Sequence, residues 1–211
     1  MKIDFVSDVS CPWCAIGLNA LEEAIERIGP SVPVEIHFQP FELNPDMPAG
    51  GQDITEHLVQ KYGITAQQAD SNREAIRQRG QQVHFDFNMA ARGRIYNTFD
   101  AHRLLHWAWL QGRQRALKHA LFTAYFTNGL DPSDHEVLVQ LAGQAGLDAA
   151  EARRVLDDGR FAQDVREHEQ FYAQQGIRSV PSVIINDRHL IQGGQPVELF
   201  EQALRQIAAE V

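Results

Sequence analysis

Cys11 and Cys14 are the only cysteines in a chain of 211 residues, and they stand together in the tetrapeptide Cys11-Pro12-Trp13-Cys14. A helix brings two residues at this spacing to one face, close enough for their sulfurs to join as a disulfide and separate again. So small a loop restricts the unfolded chain little, so the pair suits reversible electron transfer better than stabilisation. Pro12 fits the first helical position, because its missing N–H would be unpaired there and its φ is already near helical. Cys11 then falls at the N-cap, where unpaired amides and the positive end of the helix dipole favour a thiolate. Cys11 is therefore expected to attack. Cys14, one turn further in and followed by Ala15, Ile16 and Leu18, is expected to be less exposed and to resolve the mixed disulfide.

The same spacing is half of a zinc site, and nine histidines are available to complete it. Structural zinc sites usually bring a second close pair of ligands. The tight pair here, His102 and His106, lies inside an apolar helical pattern. A non-catalytic zinc-binding interaction protein is thus the alternative from another class.

The elements that must position the pair are legible around it. Lys2 to Ser7 alternates and is rich in strand formers, with Ile3, Phe5 and Val6 directed inward. From Pro12 to Ile28, Ile16, Leu18, Leu21, Ala24, Ile25 and Ile28 recur at helical spacing, and Gly29-Pro30 stops the helix. Val32 to Gln39 alternates again, with Pro40 limiting its extension. This strand, helix, strand unit has the length for a parallel pair joined by a right-handed crossover. A loop at Asn44 to Gly51 opens a long helical block, with candidate helices at Ile54–Tyr62, Ala66–Gly80, Thr98–Gly112, Arg115–Asn128, Ser133–Ala145, Ala149–Leu156 and Phe161–Gln175. Asn97 is a plausible cap for the third of these, and Asp131-Pro132-Ser133 a turn and cap for the fifth. The β-branched run Val180 to Asn186, a turn at Asn186-Asp187 and His189 to Gln192 read as a hairpin, and Pro196 to Ala208 as a terminal amphipathic helix. The order is βαβ, a helical block, then αββα.

Composition narrows the class. With 44% hydrophobic residues the chain can bury a core without disulfide or metal support. A net charge of -9 argues against nucleic acid or an anionic membrane surface as the main partner. No apolar stretch has the length of a membrane span, and Met1-Lys2-Ile3-Asp4-Phe5 does not read as a signal peptide, so the expected compartment is the cytoplasm. Thiols are kept reduced there, and a paired motif is more often catalytic or metal-binding than structural.

Taken in order, Phe5-Val6-Ser7-Asp8-Val9-Ser10-Cys11-Pro12-Trp13-Cys14, Asn97-Thr98, Ala101-His102-Arg103-Leu104 and Gly176-Ile177-Arg178-Ser179-Val180-Pro181-Ser182-Val183 resemble the DsbA-like thiol-disulfide oxidoreductases. Gly193-Gly194-Gln195-Pro196 is similar to the segment before the last helix in their cytoplasmic FrnE-type branch. The resemblance spans essentially the whole chain. It implies an α/β thioredoxin-like fold with a central mixed sheet, interrupted by a large α-helical insertion. Residues 1–43 and 177–211 would form the thioredoxin-like domain, and 44–176 the inserted subdomain with its connecting helix. It gives Pro181 the role of a cis-proline opposite the cysteines, with Val180 offering its backbone to an extended substrate beside Pro12 and Trp13. From the residues alone, a Val-Pro bond at a strand mouth is compatible with cis or trans. The implied substrate is a protein or small-molecule thiol or disulfide. No tightly bound cofactor is implied, glutathione or another thiol would be the redox co-substrate, and there is room for a homodimer.

Trp13 departs from the periplasmic DsbA pattern, which has a histidine between the cysteines, so Cys11 should be less strongly acidified and its disulfide a weaker oxidant. The enzymatic alternative is a glutathione-dependent isomerase or transferase of the 2-hydroxychromene-2-carboxylate isomerase or kappa-class type. Those relatives share the interrupted layout but keep a serine where Cys11 stands and use no resolving cysteine. His102 and His106 would face the motif across a substrate groove or pack in the interior. Phe85, Phe87, Tyr96, Phe99, Phe122, Tyr125 and Phe126 would surround a pocket or fill the insertion's core. Arg92-Gly93-Arg94 reads as an exposed loop, with a glutathione carboxylate as its functional alternative.

Overall fold

The computed structural model describes residues 1–210. The chain opens with β1 (Lys2–Ser7), α1 (Pro12–Ile28) and β2 (Glu35–Pro40). A two-residue strand β3 (Gln52–Asp53) leads into α2 (Ile54–Tyr62) and α3 (Ala66–Gln82), and its partner β4 (Arg94–Ile95) precedes α4 (Phe99–Leu110) and α5 (Gln114–Phe122). Then come α6 (His135–Gln144), α7 (Ala149–Asp157), α8 (Ala162–Gln174), β5 (Ser182–Ile185), β6 (His189–Gln192) and α9 (Val197–Ala208).

The main sheet has the order β2-β1-β5-β6. β1 runs parallel to β2, from Lys2 opposite Glu35 to Ser7 opposite Pro40, and antiparallel to β5, which pairs antiparallel with β6. The sheet is therefore mixed, with the helical insertion between β2 and β5, as anticipated. β1 is a central strand, buried on both faces from Ile3 to Ser7 with Asp4 included, whereas α9 buries only one face, through Val197, Phe200, Leu204 and Ile207. Asn186 and Asp187 both take positive φ, 52° and 57°, the conformation that a tight hairpin turn demands and that asparagine and aspartate tolerate. The exposed edge of β2 is closed by a side chain rather than a strand. The Gln114 amide accepts from the Phe38 N–H and donates to the Phe38 carbonyl, both at 2.9 Å.

Three local readings shift. The expected helix over Arg115–Asn128 gives way at Thr123 to a wider π turn, Thr123–Thr127, with the Asn128 N–H reaching the Thr123 carbonyl. That turn buries Ala124, Tyr125 and Phe126 in succession, which one stripe of an α-helix would not do. The Ser133 cap moves to Asp134, whose carboxylate accepts from the Glu136 N–H, while Asp131 ties the preceding turn to Ser133. Asn97 caps from one position early: its Oδ1 accepts from the Phe99 N–H, and Thr98 occupies the cap itself. The paired strands β3 and β4 are too short to show any alternation in sequence.

The aromatic set is largely core. Phe85, Phe87 and Phe126 stack at 4.7 to 6.3 Å between ring centroids and join a cluster with α1, α9 and the sheet. A second cluster unites α4, α5, α6 and α7. Buried Arg103 ties that bundle together, donating to the carbonyls of Arg160 at 2.9 Å, Val155 at 2.5 Å and Leu156 at 3.2 Å, and so satisfying the last turn of α7. No helix of the described residues is long and apolar enough to cross a membrane.

Candidate active site

Cys11 is the N-cap of α1, in extended backbone at φ -90° and ψ 113°, with Pro12 opening the helix. Its carbonyl accepts from the N–H groups of Cys14 at 3.1 Å and Ala15 at 3.4 Å, so the helix begins as its spacing requires. The Cys11 sulfur accepts no capping bond from the first turn. Its polar neighbours are the Cys14 thiol, within hydrogen-bond reach, and the Val180 carbonyl at 3.8 Å. Both cysteines are free thiols. The Val180-Pro181 peptide bond is cis.

The two sulfurs differ in their surroundings. Cys14 is fully buried, and burial pushes its thiol well above the ordinary range; proximity to Cys11 adds to this, while the Lys118 ammonium opposes it. Cys11 is 4% exposed, at the floor of a cavity of ≈ 510 Å³ that opens between the motif and the α2 and α3 pair. Pro12, Trp13 and Val180 line the same cavity, and Trp13 and Tyr62 stand half-exposed at its walls. Of the sequence-designated residues, then, Cys11, Pro12, Trp13 and Val180 meet at one opening, with Cys14 beneath it and Pro181 against α1.

Close approach of the Pro181 loop to α1 depends on Gly17. A Cβ there would meet Pro181 Cγ at 3.1 Å and Gly194 Cα at 3.3 Å. Gly17→Val should therefore overpack the contact, lowering stability by about 1–3 kcal/mol and shifting Pro181 away from the cysteines. Urea unfolding and the rate of Cys11 alkylation check the two effects together. Unchanged values of both would mean that the loop does not depend on this contact.

Asp8 organises the turn before the motif. Its carboxylate accepts from Ser10 Oγ at 3.0 Å, the Ser10 N–H at 3.3 Å and the Leu43 N–H at 2.7 Å, and lies 3.4 Å from His102 Nε2. Burial alone would raise its carboxyl, but His102, Leu43 and Thr98 outweigh burial and hold it below the usual range. His102 thus supports the motif from behind and does not line the groove, so of the two sequence readings the substrate-binding one is not met and the interior one is. The i, i+4 spacing does put His102 and His106 on one face of α4, but that face turns toward β2 and α8. There the two histidines share a small cavity of ≈ 40 Å³ with His37 and His168. Among the described residues no three His, Cys, Asp or Glu side chains gather as a metal site.

Lys118, outside the sequence-designated set, also stands beside the cysteine pair. It is 1% exposed, with Nζ over the Phe122 ring at 4.8 Å and the Phe38 ring at 5.9 Å. Burial pulls its ammonium down to about 8, against the opposing influence of Cys14, Asp8 and Cys11. A signal existed: Gln114, Leu117, Lys118, Leu121 and Phe122 form the buried stripe of α5, and a lysine in such a stripe is an anomaly. Arg92 is the other departure. Read as part of an exposed loop, it is buried against Tyr125 and Phe126 and donates to the Ser10 carbonyl at 3.2 Å.

A family model for the DSBA-like thioredoxin domain matches residues 2–205. The chain belongs to that family. In sequence it is similar to the uncharacterized protein YwbO of Bacillus subtilis (strain 168), 28% identical over 206 residues that make up 97% of this chain and 96% of YwbO. In structure it is similar to the probable DsbA oxidoreductase of Streptomyces coelicolor, at a TM-score of 0.89 and 35% identity, covering 100% of this chain and 91% of that one. The cytosolic disulfide reductase DsbM of Pseudomonas aeruginosa, solved with GSH, shares the fold at a TM-score of 0.68 and 14% identity, over 99% and 100% of the two chains. As a DSBA-like thioredoxin domain the chain has an α/β thioredoxin-like fold, and Cys11 and Cys14 form its CXXC-type pair.

Proposed function

We propose that this chain is a thiol-disulfide oxidoreductase of the FrnE-type branch, working in the cytoplasm through Cys11-Pro12-Trp13-Cys14 on protein or small-molecule disulfides. The observation that carries the reading is the inequality of the two free thiols: Cys11 lies beneath the Val180 carbonyl and opens on a cavity, while Cys14 is sealed behind it. The Cys11 thiolate attacks one sulfur of a substrate disulfide and releases the other as a thiolate. Cys14 then loses its proton and attacks the Cys11 sulfur, so the protein closes its own disulfide and the second half of the substrate leaves reduced. Val180 and Pro181 present backbone to the bound segment, and Pro12 and Trp13 meet it from the helix side. Glutathione or another thiol returns the pair to the dithiol, and no tightly bound cofactor takes part.

Mild oxidation should remove both free thiols together and lower the intact mass by two hydrogens, with full recovery on reduction. The reduced protein should also catalyse insulin reduction, and its potential against a glutathione buffer sets the favoured direction. Two thiols that stay free under oxidant would end this reading.

A further inference from the structure

The cavity above Cys11 has a chemical bias that disulfide exchange alone does not require. Its volume of ≈ 510 Å³ suits a ligand the size of a short peptide. The walls are largely apolar, and their ionisable side chains besides Cys11 and Tyr62 are His57, Arg73 and Arg92; among the described residues no carboxylate lines the cavity. In a chain with 28 acidic and 19 basic residues, that distribution runs against composition.

Arg92 is the informative member. It is 7% exposed, and its Nε is buried with no hydrogen-bond partner among the described residues. Its guanidinium carbon lies 5.0 Å from the ring centres of both Tyr125 and Phe126, the consecutive aromatics that the π turn directs inward. One nitrogen donates to the Ser10 carbonyl, next to Cys11. A cation held so far from water, with two aromatic rings, the Tyr125 hydroxyl and one carbonyl as neighbours but no anion paired with it among the described residues, is costly unless an anion completes it. Arg73, by contrast, is already occupied by Asp70 and Thr55, and Lys61, just outside, by Leu43 and Asn44.

Building on the oxidoreductase reading above, we infer that the cavity takes a small carboxylate-bearing disulfide, with a carboxylate on Arg92 holding one sulfur over Cys11. The dithiol and the small disulfide RSSR then exchange two electrons. Cys11 forms a mixed disulfide and expels RS⁻; Cys14 displaces the second RS⁻, and the two thiolates recover the two protons given up by the cysteines.

Oxidised glutathione and cystamine, which lacks carboxylates, separate the possibilities. Each rate of Cys11-Cys14 disulfide formation is divided by the rate of the same disulfide with a free thiol, which removes intrinsic reactivity. The corrected preference of the wild-type protein for oxidised glutathione should exceed about tenfold and should collapse toward unity in Arg92→Gln, with Arg92→Lys retaining part of it. Independently of any variant, S-methylglutathione, which cannot exchange, should protect wild-type Cys11 from neutral iodoacetamide, and its carboxamide analogue should not. A wild-type preference near unity, or equal protection by the two analogues, overturns the inference. If insulin, cystamine and oxidised glutathione all fail to oxidise the pair, the oxidoreductase reading itself has failed. If the first two react and oxidised glutathione has no advantage, only the carboxylate pocket is wrong.

Discussion

Cys11→Ser should reduce insulin at least roughly 10³-fold more slowly than the wild-type protein, whereas Cys14→Ser should attack normally and stop at the mixed disulfide. The expectation rests on the different positions of the sulfurs. Cys11 meets the cavity and the Val180 carbonyl, so it is the sulfur a substrate can reach. Cys14 is completely buried and its thiol lies well above the ordinary range, so it is protonated and shielded until Cys11 carries a partner. A hydroxyl at position 11 has neither the acidity nor the polarisability to replace a thiolate. Mass spectrometry of Cys14→Ser after exposure to oxidised glutathione should show one covalently attached glutathione at Cys11. Equal activity of Cys11→Ser and wild type, or an adduct on Cys14 in the unmodified protein, would reverse the assignment of attacking and resolving sulfurs.

The second large effect concerns stability. Replacing Lys118 by Met should stabilise the reduced protein near neutral pH and slow closure of the disulfide. Burial lowers the lysine from its ordinary 10.5 to about 8, and such a difference costs the folded state about 3 kcal/mol while the group is charged in both states. The sign follows from proton counting. Below the folded value both states carry the proton and the cost is complete; between the two values the unfolded chain holds the proton and the folded chain has shed it, so stability rises with pH; above the unfolded value the cost has vanished. The advantage of Lys118→Met should therefore be largest below about pH 8 and fade as pH approaches 10.5. Cys14 titrates with the opposite sign in the alkaline part of this range, its folded value being raised, and loss of the lysine would raise it further, so the stability comparison is made in a Cys14→Ala background, where that contribution is absent. Catalysis should move the other way, since the ammonium favours the Cys14 thiolate; losing it should lengthen the life of the mixed disulfide by about tenfold. Urea titrations at several pH values and single-turnover kinetics measure the two effects. No gain in stability at neutrality, or a gain that persists undiminished above pH 10.5, would show that Lys118 is not buried as a strained cation.

What the sequence determined by itself is whatever depends on neighbours along the chain. Pro12 at the start of a helix, the stripe from Ile16 to Ile28, the alternation of β1 and the turn at Asn186-Asp187 are local patterns, and each element formed within a few residues of its expected bounds. The reactive pair is likewise local, because one helical turn suffices to bring Cys11 and Cys14 together. Tertiary structure decided which partner each long-range face would meet. The spacing of His102 and His106 specified a shared face of α4 but not its direction, and packing turned it toward β2 and α8, leaving His102 behind Asp8. Lys118 and Arg92 were decided in the same way. A charged side chain reads as solvated until residues far away in sequence enclose it, here Phe38 and Cys14 around the lysine and Tyr125, Phe126 and Ser10 around the arginine. Periodicity reports the preferences of one segment, whereas the electrostatic cost of a buried charge depends on atoms that only folding brings within a few ångströms.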